Sequence, residues 1–144
     1  SLNGIECLTF SIQVGGDWID KGASQALGMT QARACSIKEE GIDLMNPRGR
    51  EQEAIAFYYR ELIEYTLEQT HNELKSRAQK FSLSRPIPII VSGGTSTAVN
   101  FDLFFQSVFE RLSDKFPFNV SEIKKAKDPF NSVSLGLLIQ SLQE

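Results

Sequence analysis

The chain has 144 residues, 41% of them hydrophobic and 10% aromatic, and carries fifteen Lys and Arg against eighteen Asp and Glu for a formal charge of −3. That length and composition exclude intrinsic disorder and allow roughly two-thirds of the unfolded surface to be buried, enough for a single domain over residues 1–144. No basic block is dense enough to track a phosphate backbone, which argues against nucleic acid as a partner, and no apolar stretch reaches the roughly 20 residues that a transmembrane segment needs.

The first predicted element is a strand from Ile5 to Val14, because Leu8, Phe10, Ile12 and Val14 share one face and Cys7, Thr9, Ser11 and Gln13 the other. Asn3-Gly4 before it is a hairpin-turn signal with no preceding strand, so the chain reads as an excised piece of something larger that opens inside a hairpin; alternatively Ser1-Leu2 is a cloning remnant. The start carries no charged n-region with an h-region, and Cys7 and Cys35 form neither a CxxC nor a disulfide framework, so a reducing, cytoplasmic location is expected.

After Gly15-Gly16, Asp17 is the expected cap of a helix carrying Trp18, Ile19, Ala23, Ala26 and Leu27, with Gly28 as its C′ residue. Thr30 caps a second, short helix through about Glu40, and Gly41 to Gly49 reads as a connection. From about Arg50 to Gln79 the recurrence of Ile55, Tyr58, Tyr59, Leu62, Ile63, Thr66, Leu67, Thr70 and Leu74 predicts one long helix lying across a sheet. A buried strand, Ile87 to Val91, follows, then a helix from about Asn100 whose face is Phe101, Phe104, Phe105, Val108, Phe109 and Leu112. A weaker strand is expected near Asn119 to Ile123, and after Asp128-Pro129 a final helix carrying Val133, Leu137, Leu138 and Leu142. Alternating strands and helices predict an α/β domain.

Two glycine pairs stand at strand ends. Gly93-Gly94 follows the apolar run from Pro86 to Ser92, and Gly15-Gly16 follows the first strand. Glycines there let the backbone turn sharply with nothing projecting, so that a flat ligand can lie against it, where open α/β sheets bind ligands. The plainer reading is a tight strand-to-helix turn.

Four stretches in order, Val14 to Asp20, Ala34 to Lys38, Ile89 to Thr95 and Asp128 to Gly136, resemble the second half of the actin-like ATPase superfamily, which includes actin, the seventy-kilodalton heat-shock chaperones, sugar kinases, the rod-shape protein and bacterial cell-division and pilus-assembly ATPases. The stretch from Gln25 through Lys38 looks most like the cell-division and pilus-assembly branch. The resemblance implies a ribonuclease H-like lobe, here incomplete, with a few-stranded sheet and flanking helices including one long helix.

It also implies ATP as ligand, with Mg²⁺ only in the full-length parent. Gly93 and Gly94 match the adenosine motif, with Thr95 adding a hydroxyl or backbone contact; Gly15 and Gly16 match glycines at a helix N-terminus near the nucleotide. Lys38 matches a basic residue over base and ribose. Two acidic positions of relatives are Cys35 and Phe130 here, and the phosphate-binding hairpins are missing. The implied function is therefore the adenosine side of an ATP-binding cell-division or cell-shape protein, inactive alone, with the missing N-terminal lobe as partner and self-association or a filament in prospect. The rival is a non-catalytic scaffold that keeps the fold without nucleotide. Asp17 and Asp20 read as helix-start carboxylates rather than a metal pair, and His71, alone and on a polar part of the long helix, as neither ligand nor catalytic base.

Overall fold

In the computed structural model the described residues are 12, 14–76, 86–116, 119–126 and 137–139. Helix α1, Gly16–Leu27, buries Ile19, Asp20, Ala23 and Ser24, the i, i+1, i+4, i+5 spacing of one helical face. Gly28 ends it in the left-handed conformation, φ 68°, a geometry that suits glycine. Its N-cap is Gly15, with no side-chain cap; Asp17 lies two positions further in, within the first turn, where its negative charge complements the positive end of the helix dipole. Helix α2, Gln31–Glu39, begins as expected, with the Thr30 hydroxyl accepting from the Arg33 N–H at 3.1 Å.

The connection beyond α2 is tied down. Leu44 N–H donates to the Val99 carbonyl and Val99 N–H to that of Ile42, which buries Ile42 and Leu44. The Asp43 carboxylate accepts from the Met45 N–H and from the Asn100 amide, and these bonds hold its pKa below the usual value, the Asn100 bond most.

Helix α3, Gly49–Ser76, buries Ile55, Ala56, Tyr59, Leu62, Ile63, Leu67, Thr70 and Leu74. Among the described elements it packs chiefly against α1, α2 and α4 rather than across the sheet, and Phe57 is half exposed. Strand β1, Ile87–Val91, has the predicted bounds. It leads through a 3-10 turn, Gly94–Thr97, to α4, Phe101–Leu112, which buries Phe101, Phe104, Phe105, Val108 and Phe109. A second 3-10 turn, Ser113–Lys115, precedes β2, Val120–Lys125.

Strand β3, Leu137–Ile139, completes a three-stranded sheet of order β2-β1-β3, with β2 parallel and β3 antiparallel to β1. The β1–β2 register shifts between Ile87 and Ile89, at Pro88, which has no N–H to give to a ladder. One core joins Ile19, Ile37, Leu62, Leu67, Ile89, Val91, Phe101 and Val108 across helices and sheet.

Two expectations are corrected. Leu137 and Leu138 lie in β3 and not in a final helix; β-branched and leucine-rich short runs fit a strand as well as a helix, and pairing with β1 decides. Both edges of β1 are taken by β2 and β3, and the strand expected from Ile5 to Val14 lies almost wholly outside the described residues. And the ribonuclease H-like α/β lobe is not what forms: the described residues are mostly helical, with only two strands in parallel, because the longest pattern in the chain buries its stripe against other helices.

Candidate functional site

Residues far apart in sequence meet at the start of α1. A Cβ placed on Gly16 would lie 3.1 Å from Lys38 Nζ and 3.3 Å from Thr95 Oγ1, so the first turn of α1, the last turn of α2 and the turn after β1 touch at this point. A side chain at Gly16 would fit only if both neighbours gave way slightly.

Lys38 is held by α1. Its ammonium donates to Asp20 Oδ2 at 2.9 Å and to the Gly16 carbonyl at 3.2 Å. Asp20 Oδ1 is also 2.8 Å from the ammonium, but off the angle of a hydrogen bond, so this buried oxygen has charge contact and no donor. Both side chains are largely buried, at 8% and 16% exposure. Removing either partner from such a pair is far more damaging than the pair is stabilising.

The pair conditions its surroundings. Burial, then the Asp20 charge, raises the Tyr59 hydroxyl well above the ordinary tyrosine value, so it stays protonated. Partial desolvation first, then Asp20, also raises the Cys35 thiol, which leaves it a poor nucleophile.

The second glycine pair divides its labour. Gly93 is buried and sits at φ 102°, ψ 166°, a region open essentially to glycine alone, and its carbonyl accepts the Ser96 N–H at 3.0 Å and the Ser96 hydroxyl at 2.7 Å. Gly93 is therefore a backbone requirement. Gly94 is exposed, outside the left-handed region, and a Cβ there would meet nothing within 4 Å. Gly15, extended at φ −158°, likewise faces open space. Neither packing nor backbone geometry calls for glycine at these two positions.

Of the six residues picked from sequence, the fold brings Gly16, Lys38 and Thr95 into contact, places Gly15 at the same helix start, and sets Gly93 and Gly94 in the turn that carries Thr95. Asp20, Ser96 and Tyr59 were missed as parts of the site. Asp20 is eighteen positions from Lys38 and on another helix, so only the crossing of α1 and α2 pairs them; a buried acidic position on an apolar helical face was the one available signal. Among the described residues no group of three His, Cys, Asp or Glu side chains could hold a metal ion, and no helix is long and apolar enough to cross a membrane.

The Volactin family model matches residues 1–141, and the chain belongs to that family. The assignment to the actin-like ATPase superfamily, drawn from four short stretches, is corrected accordingly: the match that spans the chain is to Volactin. No curated protein and no solved structure matches the chain.

Proposed function

We propose that this chain is a nucleotide-binding domain that holds ATP weakly by its adenosine end and does not hydrolyse it. The observation that carries the reading is the meeting of Gly16, Lys38 and Thr95 beside two glycines, Gly15 and Gly94, whose side-chain space is empty. A flat base and ribose lie against bare backbone, and the N–H groups that open α1 favour an oxygen-rich, anionic neighbour.

The charge balance sets the strength. Lys38 is neutralised by Asp20, so the site offers a polyphosphate no net positive side-chain charge, and affinity in the millimolar range, near −4 kcal/mol, is expected. Asp20 is committed to Lys38, which removes it as a general base for water. A cytoplasmic location accords with an ATP ligand and with the cysteine pattern.

Titration of ATP followed by NMR tests the reading. Saturable shifts should appear at the amides of Gly15, Gly16, Gly94 and Thr95, and Gly94→Val should remove them while leaving the fold intact, since the added side chain enters open space. No saturable shift up to about 10 mM ATP, or shifts that Gly94→Val leaves unchanged, would overturn it.

One observation favours a second reading, a scaffold that keeps this geometry without nucleotide: both acceptors of Lys38, Asp20 and the Gly16 carbonyl, are its own chain's. On that reading the Lys38–Asp20 pair only locks α1 to α2, and ATP produces no shift at any concentration.

A further inference from the structure

On other elements, a cleft of about 280 Å³ opens between the later turns of α3 and the end of α4. Its floor is apolar: Leu67, fully buried, with Leu112 and Phe116 partly buried against the core. Its lining carries opposite charges on two elements, Glu68 on α3 and Lys115 on the 3-10 turn that follows α4. Neither takes part in an ion pair among the described residues. His71, one turn beyond Leu67 on α3, packs edge-on against Phe116 with ring centroids 5.8 Å apart, and its Nδ1 is buried with no hydrogen-bond partner. A buried ring nitrogen left without a partner calls for a reason, and a polar complement supplied from outside the chain is one.

We propose that this cleft binds a small zwitterion with an apolar body, of the class of free α-amino acids with a large apolar side chain. An apolar floor with a few convergent polar groups is the usual make-up of a small-molecule site, and the volume is near the lower end for such sites. A simple carboxylate would suit Lys115 but not Glu68; a simple amine would suit Glu68 but not Lys115. Only a ligand with both charges satisfies both side chains. Its apolar side chain lies on Leu67, Leu112 and Phe116, and its polar head is within the reach of the His71 side of the cleft.

His71 is the only histidine in the chain, so its imidazole resonance reports on this cleft without ambiguity. The test is an NMR titration of the whole chain with L-phenylalanine and L-leucine, and in parallel with 3-phenylpropionate and phenethylamine, which keep the ring and lose one charge each. At least one of the two amino acids should shift the His71 signal saturably, with a dissociation constant of about 1 mM or tighter, and each single-charge analogue should bind about 10-fold more weakly. Glu68→Gln should bring L-phenylalanine down to the level of 3-phenylpropionate, and Lys115→Met to that of phenethylamine. Glu68 and Lys115 are exposed, so both variants should fold. Absence of a saturable shift with both amino acids, equal binding of zwitterion and analogues, or indifference to both substitutions overturns the proposal.

Discussion

Gly22, inside α1, stands against the ring of Tyr58, where an added Cβ would overlap Cε1 and Cδ1. That ring is wedged edge-on between Trp18, 5.5 Å away, and Phe57, 5.3 Å away, so it has little room to retreat. Alanine is the better helix former by about 1 kcal/mol, yet overpacking of this kind costs about 1–3 kcal/mol, and the second effect should win. Gly22→Ala is therefore expected to destabilise the domain in chemical denaturation and to change the fluorescence of Trp18, the chain's single tryptophan. A stabilised variant with unchanged emission would show that the aromatic trio moves freely. At this scale the sequence was readable where position alone decides: Gly93 and Gly94 after an apolar run, Thr30 before a helix, Gly28 after one. It was silent on Gly22 and on Asp20 with Lys38, because both depend on which faces of two helices cross.

Helix α3 was legible as a helix over nearly its whole length, and its neighbours were not. Periodicity reports the width of an apolar face; it does not report what covers that face. Seven of its residues expected on the apolar side, Ile55, Tyr59, Leu62, Ile63, Leu67, Thr70 and Leu74, are buried, but against α1, α2 and α4. Leu62 is 2% exposed, so Leu62→Ala should lower the unfolding free energy by about 2–5 kcal/mol through lost burial and the cavity left behind. Glu64 offers the control. Its contact with Arg111, 3.5 Å, is between side chains at 30% and 64% exposure, and Glu64→Ala should change stability by less than about 0.5 kcal/mol. Equal small effects at the two positions would mean that α3 is peripheral. The sheet illustrates the opposite case: β1 and β2 were visible as short strands, whereas the three residues of β3 follow no period long enough to separate strand from helix, and only pairing with β1 defines them.

For the whole molecule, the elements were mostly legible in the chain and their assembly was not, since a pattern of strands and helices is compatible with several layer arrangements until the longest helix chooses its partners. Tyr59 lies at the centre of that assembly, 1% exposed on α3, with its ring 6.2 Å from that of Phe101 on α4 and its hydroxyl sensing Asp20 on α1. Burial first, and the Asp20 charge second, raise its pKa above the ordinary tyrosine value. A raised folded-state pKa means that the folded protein keeps a proton which the unfolded chain gives up. The corresponding stability is complete below the unfolded value of about 10 and falls as pH rises above it, by up to about 1.4 kcal/mol per pH unit for one proton. Unfolding free energies measured from pH 8 to 11 should therefore be level at first and then drop in the native sequence. Tyr59→Phe removes the titrating hydroxyl while keeping the ring, so its alkaline drop should be shallower by that one-proton slope. If the two curves fall in parallel, Tyr59 ionises in the folded state as readily as in the unfolded one, and the junction of α1, α3 and α4 is not the closed, desolvated centre described above.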